Sequence, residues 1–180
     1  MEKETVKILF VCHGNICRST MAESMMTELV RRNGIEDTFE IASAGTSKDE
    51  LGSPVYPATV RTLHARKIPV IPHQAVQMTA EDYDNYDLLL GMDTANVQNI
   101  KRIVGGDPLG KIHRFLDCCE EPRDIPDPWY TGKFNDTFLD IGEGCDELLY
   151  SLLKQRSPEE AITVTETLSE EEESKEEGSE

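Results

Sequence analysis

The fold is decided by one stretch near the start of the chain, Val6-Lys7-Ile8-Leu9-Phe10-Val11-Cys12-His13-Gly14-Asn15-Ile16-Cys17-Arg18-Ser19. Its first part, residues 6–11, is an apolar run with the length of a buried strand. After a loop that contains a glycine, Ser19 is predicted as the N-cap of a helix over residues 19–32, which Asn33-Gly34 ends. A strand that leads through a short loop into a helix predicts the first unit of an α/β domain.

The rest of the chain repeats this alternation of strands and helices. Strands are predicted over residues 39–44, 86–92 and 112–116. Helices are predicted over residues 55–66, 95–104 (capped by Asp93-Thr94) and 135–155. Because strands joined by helices form right-handed crossovers, the sequence predicts a three-layer α/β domain with a parallel sheet covered by helices on both faces.

Length and charge define one domain and an acidic end. The 180 residues suffice for a single core, and no apolar run is long enough to span a membrane. The start of the chain lacks the pattern of a secretory signal, so we expect a cytoplasmic protein. Of the net charge of -17, residues 158–180 carry -9, and the preceding 157 residues carry -8. We therefore predict a domain over residues 1–156 and a disordered acidic tail over residues 157–180, which either solubilises the protein or binds a partner.

The five cysteines are Cys12, Cys17, Cys118, Cys119 and Cys145. Their number is odd, and their spacing matches neither a zinc pattern nor a small secreted disulfide scaffold. Reduced thiols in a cytosolic enzyme fit better, which makes reactivity the question to ask of Cys12 and Cys17.

The loop after the first strand has the composition of an anion site. It precedes a helix at the carboxyl end of a parallel strand, where backbone amides and the helix dipole attract anions. Gly14 permits a tight backbone path, and Arg18 offers a planar fork of donors for two phosphate oxygens. Such a positive field favours the thiolate form of a cysteine, which Ser19 could also stabilise. The pattern predicts Cys12 as a nucleophile aimed at phosphorus; the alternative is a buried cysteine in a helix-capping turn.

Cleavage of a phosphomonoester by a thiolate also needs an acid that protonates the leaving oxygen. The long polar loop over residues 117–130 offers Asp117, Asp124 and Asp127. Asp127 is our prediction, because Pro128 stiffens the turn after it and two aromatic residues, Trp129 and Tyr130, follow it.

Two motifs together, Cys12-x5-Arg18-Ser19 and Asp127-Pro128-Trp129-Tyr130, make the chain resemble the low-molecular-weight protein tyrosine phosphatases over about residues 5–156. Further segments agree, namely Ser43-Ala44-Gly45-Thr46, Gly91-Met92-Asp93 and His73. The resemblance implies a four-stranded parallel sheet and a two-step reaction without metal or cofactor. In it, Cys12 attacks phosphorus, Arg18 stabilises the transition state, and Asp127 serves first as acid and then as base.

The resemblance also implies roles for the neighbours of these three residues. The phosphate would be held by the loop of His13, Gly14, Asn15, Ile16, Cys17 and Arg18. A supporting hydrogen-bond network would comprise Asn15, Ser19, Ser43 and His73. Cys17 matches a cysteine that can form a reversible disulfide with the nucleophile Cys12, although it could equally be a small apolar residue packed under the loop.

The chain departs from the family pattern in the substrate cleft, which would be lined by His13, Asp49, Trp129 and Tyr130. His13 stands where the family often has an apolar residue, and Asp49 stands where many members have an aromatic one. An exposed Asp49 would repel acidic phosphopeptides by ~1 kcal/mol. Trp129 and Tyr130 remain to pack on a phenyl ring, so the physiological substrate is left open.

Three alternatives remain beside a tyrosine phosphatase. An arsenate reductase on this fold would need relay thiols that are missing between Cys17 and Cys118, and a protein-arginine phosphatase would carry Thr at the position of Ile16. A phosphate-binding module without catalysis is the third. We expect a phosphotyrosine protein or a small aryl phosphate as substrate, inorganic phosphate as product, and no nucleic acid or membrane partner. The expected oligomeric state is a monomer or a weak dimer.

Overall fold

The computed structural model describes residues 4–157, 159, 161 and 166–168. Four parallel strands form one sheet in the order β2-β1-β3-β4, and their bounds are Val6–Cys12 for β1, Phe39–Gly45 for β2, Leu88–Gly91 for β3 and Ile112–Arg114 for β4. The helices are α1 over Arg18–Arg32, α2 over Pro57–Ala65, α3 over Asp82–Asn85, α4 over Thr94–Val104, α5 over Pro128–Thr131 and α6 over Phe134–Arg156. The predicted three-layer α/β fold with a four-stranded parallel sheet is confirmed.

The central strand β1 is buried on both faces, as a strand covered by helices on two sides must be. Ile8 and Phe10 pack into the larger core, which α1 and α6 complete. Leu9 and Val11 point to the other face and pack into a smaller core beneath α4. This two-sided burial explains why the strand reads as an unbroken apolar run rather than as an alternating one.

Two predicted strands are shorter in the structure. Phe115 and Leu116, predicted as strand, begin a 3-10 helix over Phe115–Cys118, and Tyr86 follows α3 before β3 begins at Leu88. An apolar run marks burial but not conformation. Phe115 turns into the core, where its ring packs edge-on against Phe10 at 5.1 Å between centroids.

The predicted N-cap of α1 is wrong. The helix begins at Arg18 with Cys17 in the capping position, and no side chain caps its first amides. Ser19 lies inside the first turn, where its hydroxyl contacts Cys12 and Asn15 instead. The first amides of α1 therefore have no side-chain cap and adjoin the loop before the helix. The predicted cap of α4 is confirmed, since Asp93 accepts a hydrogen bond from the amide of Asn96.

Part of the predicted tail packs on the domain. Ala161 and Leu168 are each about 5% exposed and belong to the larger core. The amide of Leu168 donates to Asp146 at 3.0 Å, and the Asn33 side chain pairs with the backbone of Glu166. The core thus extends past residue 156, because these apolar side chains find a surface on α1 and α6. Residues 169–180, which hold most of the predicted acidic run, lie outside the described residues.

Across the described part of the chain, none of the helices combines the length and the apolar character needed to cross a bilayer.

Candidate active site

The loop over residues 12–18 joins β1 to α1 at the carboxyl end of the sheet, where a parallel sheet binds its ligands. It is tied to the strand beside it, because the amides of Thr46 and Ser47 donate to the carbonyls of Cys12 and His13 at 2.9 and 3.1 Å. The amide of Tyr56 donates to the carbonyl of Ile16 at 2.9 Å. These contacts hold the loop from two sides.

Gly45 lets β2 approach the loop closely. A Cβ atom at this position would lie 2.8 Å from the His13 carbonyl oxygen and 3.2 Å from Asn15 Cβ. A Cβ atom essentially never lies as close as 2.8 Å to a backbone oxygen, so a side chain at position 45 would force the loop or the strand to shift. Gly45 therefore sets how near the loop can lie to the second strand.

Cys12 is buried beneath the loop and surrounded by donors. Its Sγ atom lies 3.0 Å from Ser19 Oγ and accepts from the amide of Asn15 at 3.3 Å. Ser19 Oγ also accepts from Asn15 Nδ2 at 2.9 Å. Because an amide nitrogen can only donate, this arrangement leaves the hydroxyl hydrogen of Ser19 to point at the sulfur. Both contacts then direct a hydrogen at the sulfur of Cys12.

Asn15 joins the loop to the predicted supporting network. Its Oδ1 atom accepts from His73 Nε2 at 2.6 Å and from the amide of Val76 at 3.0 Å, and its Nδ2 atom donates to Ser43 Oγ at 3.0 Å. Ser43 donates in turn to the carboxylate of Glu23 at 2.7 Å. The structure thus brings together the four residues predicted for the network.

Glu23 is the member of this network that the sequence did not reveal. Its side chain is only 7% exposed and lies 3.9 Å from His73 Nδ1. Burial raises the pKa of Glu23, and the hydrogen bonds from Ser43 oppose that shift. Burial also lowers the pKa of His73. The sequence signal for Glu23 is its position one helical turn after Ser19. A glutamate at such a position is as common on an exposed helix face as in a buried network.

Arg18 is held in place by three oxygen partners. Its Nη1 atom donates to Asp93 at 2.7 Å and to the carbonyl of Ile125 at 2.8 Å, and Nη2 lies 3.4 Å from Asp127 Oδ2. Burial opposes the charge of this guanidinium, but Cys12 and the carboxylates of Asp93 and Asp127 outweigh it and raise the pKa of Arg18. Arg18 is thus a fixed cation under the cleft. Asp93, predicted as the cap of α4, makes the shortest of these three contacts.

Of the three aspartates offered by the loop over residues 117–130, Asp127 is the one that faces Arg18. Asp117 and Asp124 both accept from Arg114, at 2.8 and 3.1 Å, away from the cleft. Asp127 caps α5 by accepting from the amide of Trp129 at 3.0 Å, and its other oxygen points toward Arg18. The carboxyl group is about a quarter exposed, which suits a group that exchanges protons.

The predicted cleft residues all line the cleft that contains Cys12 and Arg18. His13 Nε2 lies 2.9 Å from Asp49 Oδ2, so the two departures from the family pattern are in direct contact. On the opposite wall, Trp129 is 51% exposed and packs edge-on against Tyr56, and Tyr130 is 83% exposed. Glu50 also lines the cleft and was not predicted.

Cys17 also lines the cleft but differs from Cys12 in its surroundings. Burial, together with the charges of Cys12 and Asp127, raises the pKa of Cys17 to about 12, so at neutral pH it is a thiol. It packs with Ile16 and Ala75 in a small apolar cluster. Cys12 and Cys17 are both free cysteines in this structure. The predicted disulfide between them stays a prediction.

Residues 7–158 match the sequence model of the low molecular weight phosphotyrosine protein phosphatases. The chain belongs to this family. The prediction of a phosphatase, drawn from two short motifs, is thereby confirmed at the level of the family.

Individual relatives agree with this assignment. The chain is 35% identical to the low molecular weight protein-tyrosine-phosphatase YfkJ of Bacillus subtilis over 153 residues, which are 84% of this chain and 98% of YfkJ. It is also 35% identical to PtpA of Staphylococcus epidermidis, over 86% of this chain and 99% of PtpA. The crystal structure of YfkJ superimposes with a TM-score of 0.83 at 33% identity, over 87% of this chain and all of YfkJ.

A phosphatase with another substrate shares the fold. A drosophila arginine phosphatase superimposes with a TM-score of 0.74 at 25% identity, over 82% of this chain and 98% of that structure. The fold alone therefore does not determine whether the substrate is phosphotyrosine or phosphoarginine. The side chains that line the cleft must determine it.

Proposed function

We propose that this phosphatase hydrolyses phosphotyrosine in proteins through a cysteinyl-phosphate intermediate. One observation carries the proposal: Cys12, Arg18 and Asp127 line a single cleft, with Asp127 Oδ2 placed 3.4 Å from Arg18 Nη2. A nucleophile, a cation and a carboxyl group are the three groups that a metal-independent phosphoryl transfer requires. The family of the chain supports the same assignment.

In the first proposed step, the phosphate lies on the loop amides and on the amino end of α1. Arg18 Nη1 is occupied by Asp93 and the Ile125 carbonyl, and Nη2 keeps a second hydrogen besides the one that faces Asp127. The Nε–Nη2 edge can therefore hold two phosphate oxygens. The thiolate of Cys12 attacks phosphorus, the bond from phosphorus to the tyrosine oxygen breaks, and protonated Asp127 gives its proton to that oxygen. Tyrosine leaves, and phosphate stays on sulfur.

In the second proposed step, water attacks the phosphorus of the intermediate. Asp127, now a carboxylate, takes a proton from this water, and the bond between sulfur and phosphorus breaks. The electron pair returns to Cys12 as a thiolate, and inorganic phosphate leaves. The donors from Ser19 and the Asn15 amide make this thiolate a better leaving group, because they stabilise its charge before and after the reaction.

The cleft favours a phenyl ring over a guanidinium. Ile16 lines the cleft and packs on Cys17 and Ala75, so this part of the cleft is apolar. The side chain of Ile16 offers no acceptor to the N–H donors of a phosphoarginine guanidinium, and a donor left unpaired in a cleft costs binding free energy. Trp129 offers a half-exposed aromatic face to a phenyl ring instead.

The mechanism is tested by replacing the nucleophile. We expect the purified protein to hydrolyse para-nitrophenyl phosphate in the presence of a chelator and to be inhibited by vanadate. Cys12→Ser should lower turnover by at least ~10³-fold while phosphate binding is retained. Cys118→Ser is the matched control, because its sulfur donates to the carbonyls of Phe115 and Gly144, and a hydroxyl can donate to the same carbonyls.

Three outcomes would contradict the proposal. Undiminished turnover in Cys12→Ser would remove Cys12 as the nucleophile. A wild-type protein that binds phosphate but hydrolyses neither para-nitrophenyl phosphate nor a phosphotyrosyl peptide would be a binding module. Faster hydrolysis of phosphoarginine than of phosphotyrosine would reverse the substrate assignment.

A further inference from the structure

The mouth of the cleft is bounded on one side by a pair of polar side chains. His13 Nε2 lies 2.9 Å from Asp49 Oδ2, and the two side chains are 54% and 69% exposed. The backbone reinforces this contact, because Ser47 donates to the His13 carbonyl and accepts from the Asp49 amide. Asp49 is therefore fixed at the rim, although it lies in an exposed loop.

The charge of this pair has an upper limit. A carboxylate can only accept, so His13 carries a hydrogen on Nε2, and a second hydrogen on Nδ1 would make it a cation. The pair is then neutral with a protonated imidazole and carries one negative charge with a neutral imidazole. In neither form does this wall of the cleft become positive.

Glu50 adds a second carboxylate to the same wall. Its side chain packs beside the loop over residues 12–18 (here named the phosphate loop), since a Cβ atom on Gly14 would lie 3.5 Å from Glu50 Cγ. Its carboxylate accepts a hydrogen bond from the hydroxyl of Ser53 at 3.0 Å, and a neutral donor leaves the negative charge in place. Glu50 therefore contributes charge to the cleft mouth.

The cations near the cleft do not offset these carboxylates. Arg18 lies under the phosphate loop, only 3% exposed, and its charge faces the phosphate of the substrate. Lys48 is exposed next to Asp49 but does not line the cleft. The cleft thus has a cationic floor for phosphate and an acidic wall for whatever lies beside the phosphorylated residue.

We propose that Asp49 and Glu50 select phosphotyrosyl substrates that carry a lysine or arginine beside the phosphotyrosine, with His13 holding Asp49 in position. This inference rests on the proposed function, because it assigns the flanking sequence of the same substrate. An exposed ion pair changes kcat/KM by about 1.5-fold to 5-fold, so the two carboxylates together should give a preference of several-fold. Salt weakens such pairs, and the preference should fall at high ionic strength.

The test uses two phosphotyrosyl peptides that differ only in the flanking residues, lysine in one and glutamate in the other. The wild-type protein should hydrolyse the lysine peptide with a several-fold higher kcat/KM. Asp49→Asn and Glu50→Gln should each reduce the ratio of the two values, and high salt should reduce it in the wild type. Asp37→Asn is the matched control, because it removes an exposed carboxylate next to the amino end of β2, far from the cleft, and should leave the ratio unchanged.

The outcomes separate the two proposals. If neither peptide is hydrolysed, the phosphotyrosine assignment fails. If both are hydrolysed with a ratio near one, or if the ratio survives Asp49→Asn and Glu50→Gln unchanged, the phosphotyrosine assignment stands and the specificity inference is overturned. A ratio that falls equally in Asp37→Asn would mean that net charge rather than the cleft wall selects the peptide, which also overturns it.

Discussion

At the scale of single residues, the site depends on Asn15 for its geometry. This residue has φ = 59°, in the left-handed region that residues other than glycine adopt uncommonly. It is almost fully buried, and its side chain makes two donor and two acceptor contacts, with Ser19, Ser43, His73 and the amide of Val76. An aspartate would lose both donors, and an alanine would lose all four contacts. The side chain therefore compensates for a backbone conformation that the loop requires.

A prediction at this scale concerns the proposed acid. Asp127→Asn keeps an oxygen that can cap α5 but removes the transferable proton. We expect hydrolysis of phenyl phosphates with poor leaving groups to slow by ~10²-fold or more, and esters of acidic phenols to be affected little, because a good leaving group needs no proton. The measurement is kcat across a series of substituted phenyl phosphates.

The control for this variant is Asp117→Asn, which changes another aspartate of the same loop whose partner is Arg114. It should leave the dependence on the leaving group unchanged. Equal losses for all leaving groups in Asp127→Asn would show that Asp127 positions the loop and donates no proton.

At the scale of elements, the site is made by the ends of neighbouring strands. The register pairs Cys12 with Gly45 and Val11 with Gly91, so β1 ends between two glycines. A Cβ atom on Gly91 would lie 3.0 Å from the amide nitrogen of Val97 in α4, and one on Gly45 would meet the phosphate loop. Both glycines thus allow a backbone to approach the end of a strand.

The prediction at this scale is that Gly45→Ala impairs catalysis more than it impairs stability. The added methyl would push on the His13 carbonyl, and displacement of the loop by a fraction of an ångström would misplace the amides that we propose to hold phosphate. We expect a loss of about tenfold to a hundredfold in kcat/KM for para-nitrophenyl phosphate. The midpoint of thermal unfolding should fall by only a few degrees.

Gly142→Ala provides the comparison, because a Cβ atom there meets only Met25 and Leu168 at ordinary contact distances of 3.6 and 3.9 Å. It should keep full activity and stabilise α6 slightly. Full activity in Gly45→Ala would show that the loop does not need this close approach.

At the scale of the whole molecule, the carboxyl-terminal part of the chain closes the larger core. Arg156 donates to the carbonyls of Glu4 and Thr38 at the end of α6, next to the amino ends of the strands. Beyond it, Leu168 is buried against α1 and α6, and Asn33 pairs with the backbone of Glu166. The stable unit therefore includes residues that composition assigned to an acidic tail.

Two truncations test this at the scale of the molecule. A chain that ends at Leu168 should unfold at the same temperature as the full chain. A chain that ends at Ser157 should unfold several degrees lower, because it loses the buried side chains of Ala161 and Leu168. Leu168→Ala in the full chain should cost about 2 kcal/mol in the free energy of unfolding, which urea titration can measure. Equal stability of both truncations would show that the segment contributes nothing to the fold.

By itself, the sequence determined the elements and the motifs that are local in the chain. An apolar strand, a loop with Cys12 and Arg18, and a helix follow one another within 27 residues of β1 and α1. Such short segments are enough to show strand and helix propensity, the period of apolar residues and the donors that a loop carries. Asp127 could be chosen for the same reason, since Pro128 and Trp129 are its neighbours in the chain.

Only the tertiary structure decided which distant groups meet at the loop. Asp93 reaches Arg18 across 75 positions of sequence because the order β2-β1-β3-β4 sets the end of β3 beside the end of β1. The same order carries β2, and with it the loop of Asp49, to the other side of β1, where Asp49 contacts His13. Packing likewise decided where β4 ends, since the chain turns after Arg114 and the ring of Phe115 packs against Phe10. Local pattern does not encode these contacts, because they depend on how strands are ordered and packed.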